Sequence, residues 1–178
     1  MTDRCGLARL RYVATVGLST PPVVIRPYLD GQDAEATLAV FRTAVTETAS
    51  ADYEPEQIAA WLGAAKADLD AWDARRRVAH TWVATVGERV VGFSDFLDDG
   101  LLDMLFVHPD FGGRGVARLL VTTVRREAAR AGLPALRTHA SRTARPAFER
   151  FGFHVVAFRP DNRVGDQVVP NYDMACDL

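Results

Sequence analysis

The sequence predicts a single mixed α+β domain, a mostly antiparallel sheet flanked by helices. Two patterns predict it. Apolar residues at helical spacing dominate residues 34–65, and the period then changes to short β-branched and aromatic runs joined by tight turns. Between an apolar run, Leu101–Val107, and an amphipathic stretch, Arg118–Ala131, lies the glycine-rich segment His108-Pro109-Asp110-Phe111-Gly112-Gly113-Arg114-Gly115-Val116-Ala117. The length of 178 residues suits one well-filled domain and is short for two.

The elements follow in order. Val23–Tyr28 reads as a first strand. Asp30-Gly31-Gln32-Asp33 is a turn that caps a helix over Ala34–Thr48, with Leu38, Phe41 and Val45 at helical spacing. Pro55 opens a second helix, Glu56 to Ala65, with Ile58, Trp61 and Leu62 on one side, and a further helical piece runs to Arg75. His80–Val86 and Arg89–Leu97 form a hairpin about Gly87-Glu88, and Asp98-Asp99-Gly100 turns the chain into Leu101–Val107. The helix after the glycine turn buries Val116, Leu119, Leu120, Val124 and Ala128 and ends at Gly132. Ala135–Ala140 is another strand, and Thr143 caps a short helix through Phe151 with Pro146 in its first turn. Phe153–Phe158 and Val168–Ala175 close the chain as a hairpin.

Composition narrows the class. Apolar residues make up 48% and charged ones 25%, as in soluble globular proteins. A net charge of −2 gives no electrostatic reason to expect nucleic acid. The longest basic block, Arg75-Arg76-Arg77, reads as a solvated helix end. Basic charge is almost all arginine, Lys66 being the single lysine. Cys5 and Cys176 fit no metal spacing, so no metal is expected and a reduced, cytoplasmic setting is the simpler reading. No apolar run approaches a membrane span. Residues 1–21 read as an extension rather than a signal peptide, because Thr15 and Gly17 interrupt a short apolar segment. Residues 22–178 are then one domain.

The glycine turn carries the chemistry. A strand, a proline stop, three glycines and a helix start let successive backbone N–H groups converge on one point, where the helix N-terminus adds partial positive charge. Such a nest holds an anion, most often phosphate. A Walker-type site needs a Lys-Ser/Thr pair where Ala117-Arg118 stands, and a dinucleotide fingerprint needs a third glycine and a βαβ setting.

Val107-His108-Pro109 followed by Gly112-Gly113-Arg114-Gly115-Val116-Ala117 resembles the signature of the GNAT family, the Gcn5-related N-acetyltransferases, Gln/Arg-x-x-Gly-x-Gly/Ala. Gly112 departs from it at the first position. A second family element, Asn-x-x-Ala-x-x-x-Tyr-Glu-Lys-x-Gly-Phe, is matched by Ser141-Arg142-Thr143-Ala144-Arg145-Pro146-Ala147-Phe148-Glu149-Arg150-Phe151-Gly152-Phe153. Within the family, Tyr53-x-Pro55-x-Gln57-Ile58-x-x-Trp61 and Asp103-Met104-Leu105-Phe106-Val107 are similar to the YafP-like bacterial acetyltransferases.

The resemblance implies the GNAT fold, with a sheet that splays apart, and acetyl-CoA as co-substrate. Its pyrophosphate would rest on Gly112, Gly113, Arg114, Gly115, Val116, Ala117 and Arg118, and its pantetheine arm would pair with the backbone of Leu105, Phe106 and Val107. The acceptor would be a primary amine of a small molecule or peptide. Dimers are common among relatives, so a homodimer stays open. An amine of pKa about 10 must lose a proton and the oxyanion needs a donor. Asp103, an acid amid Leu102, Met104, Leu105 and Phe106, is the candidate base, in surroundings that raise a carboxyl's pKa. A structural strand-start role for Asp103 is the alternative. An N–H near Leu105 or Phe106 is the candidate oxyanion donor. The family's tyrosine acid is replaced by Phe148, which leaves Tyr172, His139 or water, and Tyr53 is the candidate acceptor contact. A second function class, a CoA-binding sensor without turnover, rests on Phe148 and Gly112.

Overall fold

One strand changes partners midway, and through it the chain joins two four-stranded sheets. The structure, a computed structural model, describes residues 21–64 and 68–178. Except for Pro21, the N-terminal segment read as an extension, with Cys5, lies outside the described residues, as does Lys66.

The first sheet runs β1 (Val23–Pro27), β2 (His80–Val86), β3 (Arg89–Phe96), β5 (Leu105–Val107), every pair antiparallel. The second runs β4 (Leu101–Leu102), β6 (Ala135–Ser141), β10 (Asn171–Asp177), β7 (His154–Arg159). There β4 pairs with β6 in parallel, and β10 is antiparallel to both neighbours. A two-rung hairpin, β8 (Arg163–Val164) and β9 (Gln167–Val168), sits between β7 and β10.

Helices α1 (Ala34–Thr43), α2 (Pro55–Ala64) and α3 (Leu69–Val78) precede β2, α4 (Val116–Arg130) precedes β6, and α5 (Arg145–Arg150) precedes β7. Phe41 of α1 fills the space between Trp72 of α3 and Phe106 of β5, with ring centroids 5.4 and 4.9 Å away. Burying an aromatic side chain of this kind stabilises the fold by roughly 1.5–3 kcal/mol. On the other face of the first sheet, Val116 and Leu120 of α4 pack against Ala84 and Val91. The second sheet packs Leu136, Ala140, Met174 and Cys176 against Val124 of α4 and Phe148 of α5.

Several expectations shift. The single strand expected over Leu101–Val107 is two, broken at Asp103-Met104. The helix expected to Thr48 holds α-geometry only to Thr43 and then widens into a π-type turn, Ala44–Thr48. Asp33 does not cap α1 with its side chain; its carboxylate is taken by Arg26 at 2.6 and 2.8 Å. On α4, Leu119 is exposed and Val121 and Thr123 are buried instead. Thr143 caps nothing; it donates to Asp52, and Ser141 Oγ accepts the Ala144 N–H. The last strand begins at Asn171, because Val168 belongs to the small hairpin. Arg76, read as part of a solvated helix end, is only 2% exposed: its guanidinium stacks over Trp72 at 4.8 Å.

Candidate active site

The break at Asp103-Met104 opens the sheet. Before it, Leu101 and Leu102 pair with Arg137 and Thr138 of β6; after it, Leu105–Val107 pair with Ser94–Gly92 of β3. The halves of one strand thus belong to different sheets, and β5 becomes an edge strand. Met104 O accepts the Asp95 N–H at 3.1 Å and His108 N–H reaches Val91 O at 2.8 Å. In an antiparallel ladder such bonds alternate by two, so Phe106 also faces β3. The N–H and C=O groups of Leu105 and Val107 therefore point into the gap. Of the two residues expected to lend an oxyanion donor, Leu105 is the one whose N–H lies on the open edge.

The glycine turn lies just beyond. A short 3₁₀ turn, Pro109–Phe111, ends at Gly112, and Gly113 and Gly115 take φ of +70° and +82°. Only glycine adopts these values readily, and they bend the chain so that α4 starts at Val116 with its first N–H groups facing outward. The Arg114 guanidinium lies over the Phe111 ring at 5.2 Å, and Arg118 is exposed at the helix start.

Two cavities meet at β5. One, of about 380 Å³, is bordered by Val45 and Thr48 of the π-type turn, Ala49 just after it, Leu105–Val107, Gly112, Ala117 and the small residues Ala144 and Ala147. It is an apolar channel that begins at the glycine turn. The other, of about 230 Å³, is lined by Asp103, Tyr53, Met104, His139, Asn162, Phe148 and Asn171. Trp61, Leu105, Phe106, Ser141 and Ala144 border both, so the open amide edge of β5 separates them.

Asp103 stands in the second cavity with its side chain 41% exposed, and its carboxylate is 3.8 Å from Arg76. The deeply buried carboxyl is a different one, Asp95 on β3, which the sequence reading did not single out. It is 0% exposed, 3.0 Å from Arg76, and accepts the Met104 N–H at 2.9 Å. Burial pushes the Asp95 carboxyl up to about 7, against the pull of the neighbouring guanidinium. A signal was present: an acid in Val90-Val91-Gly92-Phe93-Ser94-Asp95-Phe96, an otherwise uncharged run within β3.

The remaining candidates divide. Tyr53 lines the second cavity, but its hydroxyl donates to Pro170 O at 2.7 Å and accepts the Arg142 N–H at 2.9 Å. It forms a wall and a tie between segments, and burial raises its phenol. Phe148 lines the same cavity at the position of the family's tyrosine. Tyr172 borders neither cavity; it packs on Phe158 and lies beneath the Arg145 guanidinium at 4.8 Å. His139 does reach the cavity, paired through Nδ1 with Asp173 at 2.8 Å. Among the described residues, no group of three His, Cys, Asp or Glu side chains is arranged to hold a metal ion, and no helix is long and apolar enough to cross a membrane.

The comparisons with known proteins agree with this geometry. A family model described as an acetyltransferase (GNAT) domain matches residues 49–177. YafP, an uncharacterized N-acetyltransferase of Escherichia coli strain K12, is 38% identical over 134 residues, which cover 75% of this chain and 83% of the relative. A GCN5-related N-acetyltransferase of Rhodopseudomonas palustris superposes with a TM-score of 0.83 at 30% identity, over 91% of this chain and 99% of its own. The PaiA N-acetyltransferase of Thermoplasma acidophilum, solved in complex with coenzyme A, shares the fold with a TM-score of 0.72 at 16% identity, over 88% and 99%. With a family match over most of its length and a bacterial relative 38% identical, this chain belongs to the GNAT acetyltransferases and is a YafP-like member of that family.

Proposed function

We propose that the protein transfers the acetyl group of acetyl-CoA directly to a primary amine. The observation that carries this reading is the strand break, which puts an exposed carboxylate, Asp103, in one cavity and a free amide edge, Leu105 and Val107, on the border with a second. The channel fits the donor on three counts. Its far end is the glycine turn, whose N–H groups suit a pyrophosphate. Its walls are small and apolar, as a pantetheine arm requires. Its β5 edge offers unpaired backbone groups to the arm's amides.

When bound, acetyl-CoA supplies an activated thioester. The backbone N–H groups of Gly113–Arg118 hold its phosphates, and the Leu105 and Val107 edge holds its arm. Asp103 takes the proton from the attacking amine nitrogen as the C–N bond forms. The Leu105 N–H donates to the carbonyl oxygen as it gains charge. The C–S bond then breaks and the sulfur departs with the electron pair. Phe148 has no proton to give, and a thiolate of pKa about 8.5 leaves without one, taking its proton from water. The buried thiol of Cys176 suits a reducing cytoplasm.

The test is steady release of thiol from acetyl-CoA on addition of a panel of primary amines, with Asp103→Asn as control. That substitution should lower turnover at least tenfold and leave acetyl-CoA affinity within about twofold. A second reading, a CoA-binding sensor without turnover, rests on Phe148 and Gly112. Tight acetyl-CoA binding with no thiol release across the panel would select it.

A further inference from the structure

Arg76 is the most unusual cation of the structure. It lies on α3, 2% exposed, stacked over Trp72, with Nη1 3.0 Å from Asp95 Oδ2 and Nη2 3.8 Å from Asp103 Oδ2. Its Nε and Nη1, and Asp95 Oδ2, are buried without a well-formed hydrogen bond. A buried ion pair with such geometry does not repay its own desolvation, so stability is a poor reason for it. Its placement suggests another. The two carboxylates it faces flank the break: Asp95 holds the Met104 peptide from the β3 side, and Asp103 projects into the acceptor-side cavity.

We propose that Arg76 is a positioning residue for acetyl transfer: it faces Asp95 and Asp103 together and so fixes the reacting carboxylate relative to the amide edge of β5. The inference rests on Asp103 being the base. Without the cation, Asp103 loses the guanidinium that holds its carboxylate at the break, and its half-exposed side chain would swing away from the amine. Displacement of a reacting group by an ångström costs about 10- to 100-fold in rate.

Removing Arg76 alone would strand a buried charge, so the test uses Asp95→Asn as its reference. Asparagine keeps an oxygen for the Met104 N–H and needs no counter-charge. Every later change is read against this reference, in which Arg76 still faces Asp103. Adding Arg76→Met should lower kcat for amine acetylation at least tenfold, while calorimetry still finds one acetyl-CoA bound per chain with unchanged affinity. Arg76→Lys in the same reference should recover part of the loss. The decisive arm repeats the Arg76→Met step in the double variant Asp95→Asn/Asp103→Asn, where it should change turnover by less than about twofold. An equal loss in both backgrounds, or no loss in either, overturns the inference. If Asp103→Asn itself turns over like the parent, the assignment of the base falls and the inference with it. If Asp103→Asn is crippled and the Arg76 effects are additive, the inference alone falls.

Discussion

Asp95 and Met104 are bonded to each other twice: the Asp95 N–H donates to the Met104 carbonyl at 3.1 Å, and Asp95 Oδ1 accepts the Met104 N–H at 2.9 Å. Ser94 Oγ adds a third bond to the same carbonyl at 2.8 Å. One residue is thus held through both its N–H and its C=O at the place where the strand leaves one sheet for the other.

Replacing Asp95 by leucine removes the acceptor for Met104 and leaves the Arg76 charge buried beside an apolar group. The expected loss of unfolding free energy is about 3–5 kcal/mol, read from urea denaturation. Asp95→Asn keeps an acceptor for the Met104 N–H and should cost less than half of that; equal losses would argue that the charge and not the Met104 hydrogen bond dominates.

The raised Asp95 carboxyl also sets a pH dependence. Its value of about 7 in the folded chain exceeds the ordinary 3.8, so between these limits the native state binds more protons than the unfolded one. Stability then falls as pH rises through this window and levels off above it. The charged groups facing the carboxyl are Arg76 from α3 and Asp103 beyond the break. Between pH 5 and pH 8 the parent should lose about 2–3 kcal/mol more than Asp95→Asn does. Parallel stability curves for the two proteins would contradict this.

Gly115 sits at φ +82° with open space around its Cα. Gly115→Val imposes a β-branched residue on a left-handed backbone and tilts the first N–H groups of α4. Acetyl-CoA should bind at least tenfold more weakly by calorimetry, and the thermal stabilisation that it gives the parent should be lost.

Phe148→Tyr restores the family's phenol at the cavity wall. If the sulfur departs without a proton donor, kcat should stay within about threefold of the parent from pH 6 to pH 9. A rise of tenfold or more in stopped-flow thiol release would mean that leaving-group protonation limits the rate.

Tyr53→Phe deletes two hydrogen bonds, to Pro170 and Arg142, between three separate segments. A stability loss of about 1–3 kcal/mol is expected, with acetyl-CoA affinity unchanged. A weaker KM for the amine would follow from the loosened wall.

The turn and its helix were legible because glycine spacing and a proline stop act locally. Val107-His108-Pro109 and Gly113-x-Gly115 determine backbone geometry within a few residues of themselves. The break at Asp103-Met104 was not legible, because the run Leu101–Val107 alternates no differently on either side of it. What divides it is a distant acceptor, the Asp95 carboxylate, together with the pairing choices of β3 and β6. Arg76 was misread for a related reason. In Arg75-Arg76-Arg77 nothing but helical phase sets the middle arginine inward, and Trp72, four residues earlier on the same face, was the clue. Tyr172 and Tyr53 were chosen by chemistry, and tertiary packing had already engaged one beneath Arg145 and the other at Pro170.

The two-residue joint at Asp103-Met104 also governs how this enzyme can evolve. Along a strand, faces and edges repeat with a period of two, so the parity of the joint decides which amides of β5 look into the gap. A single inserted or deleted residue would hand the open edge from Leu105 and Val107 to Phe106, and would turn the aromatic side chain out of its place beside Phe41. A change of two would restore the phase. Length variation at this joint is therefore counted in pairs.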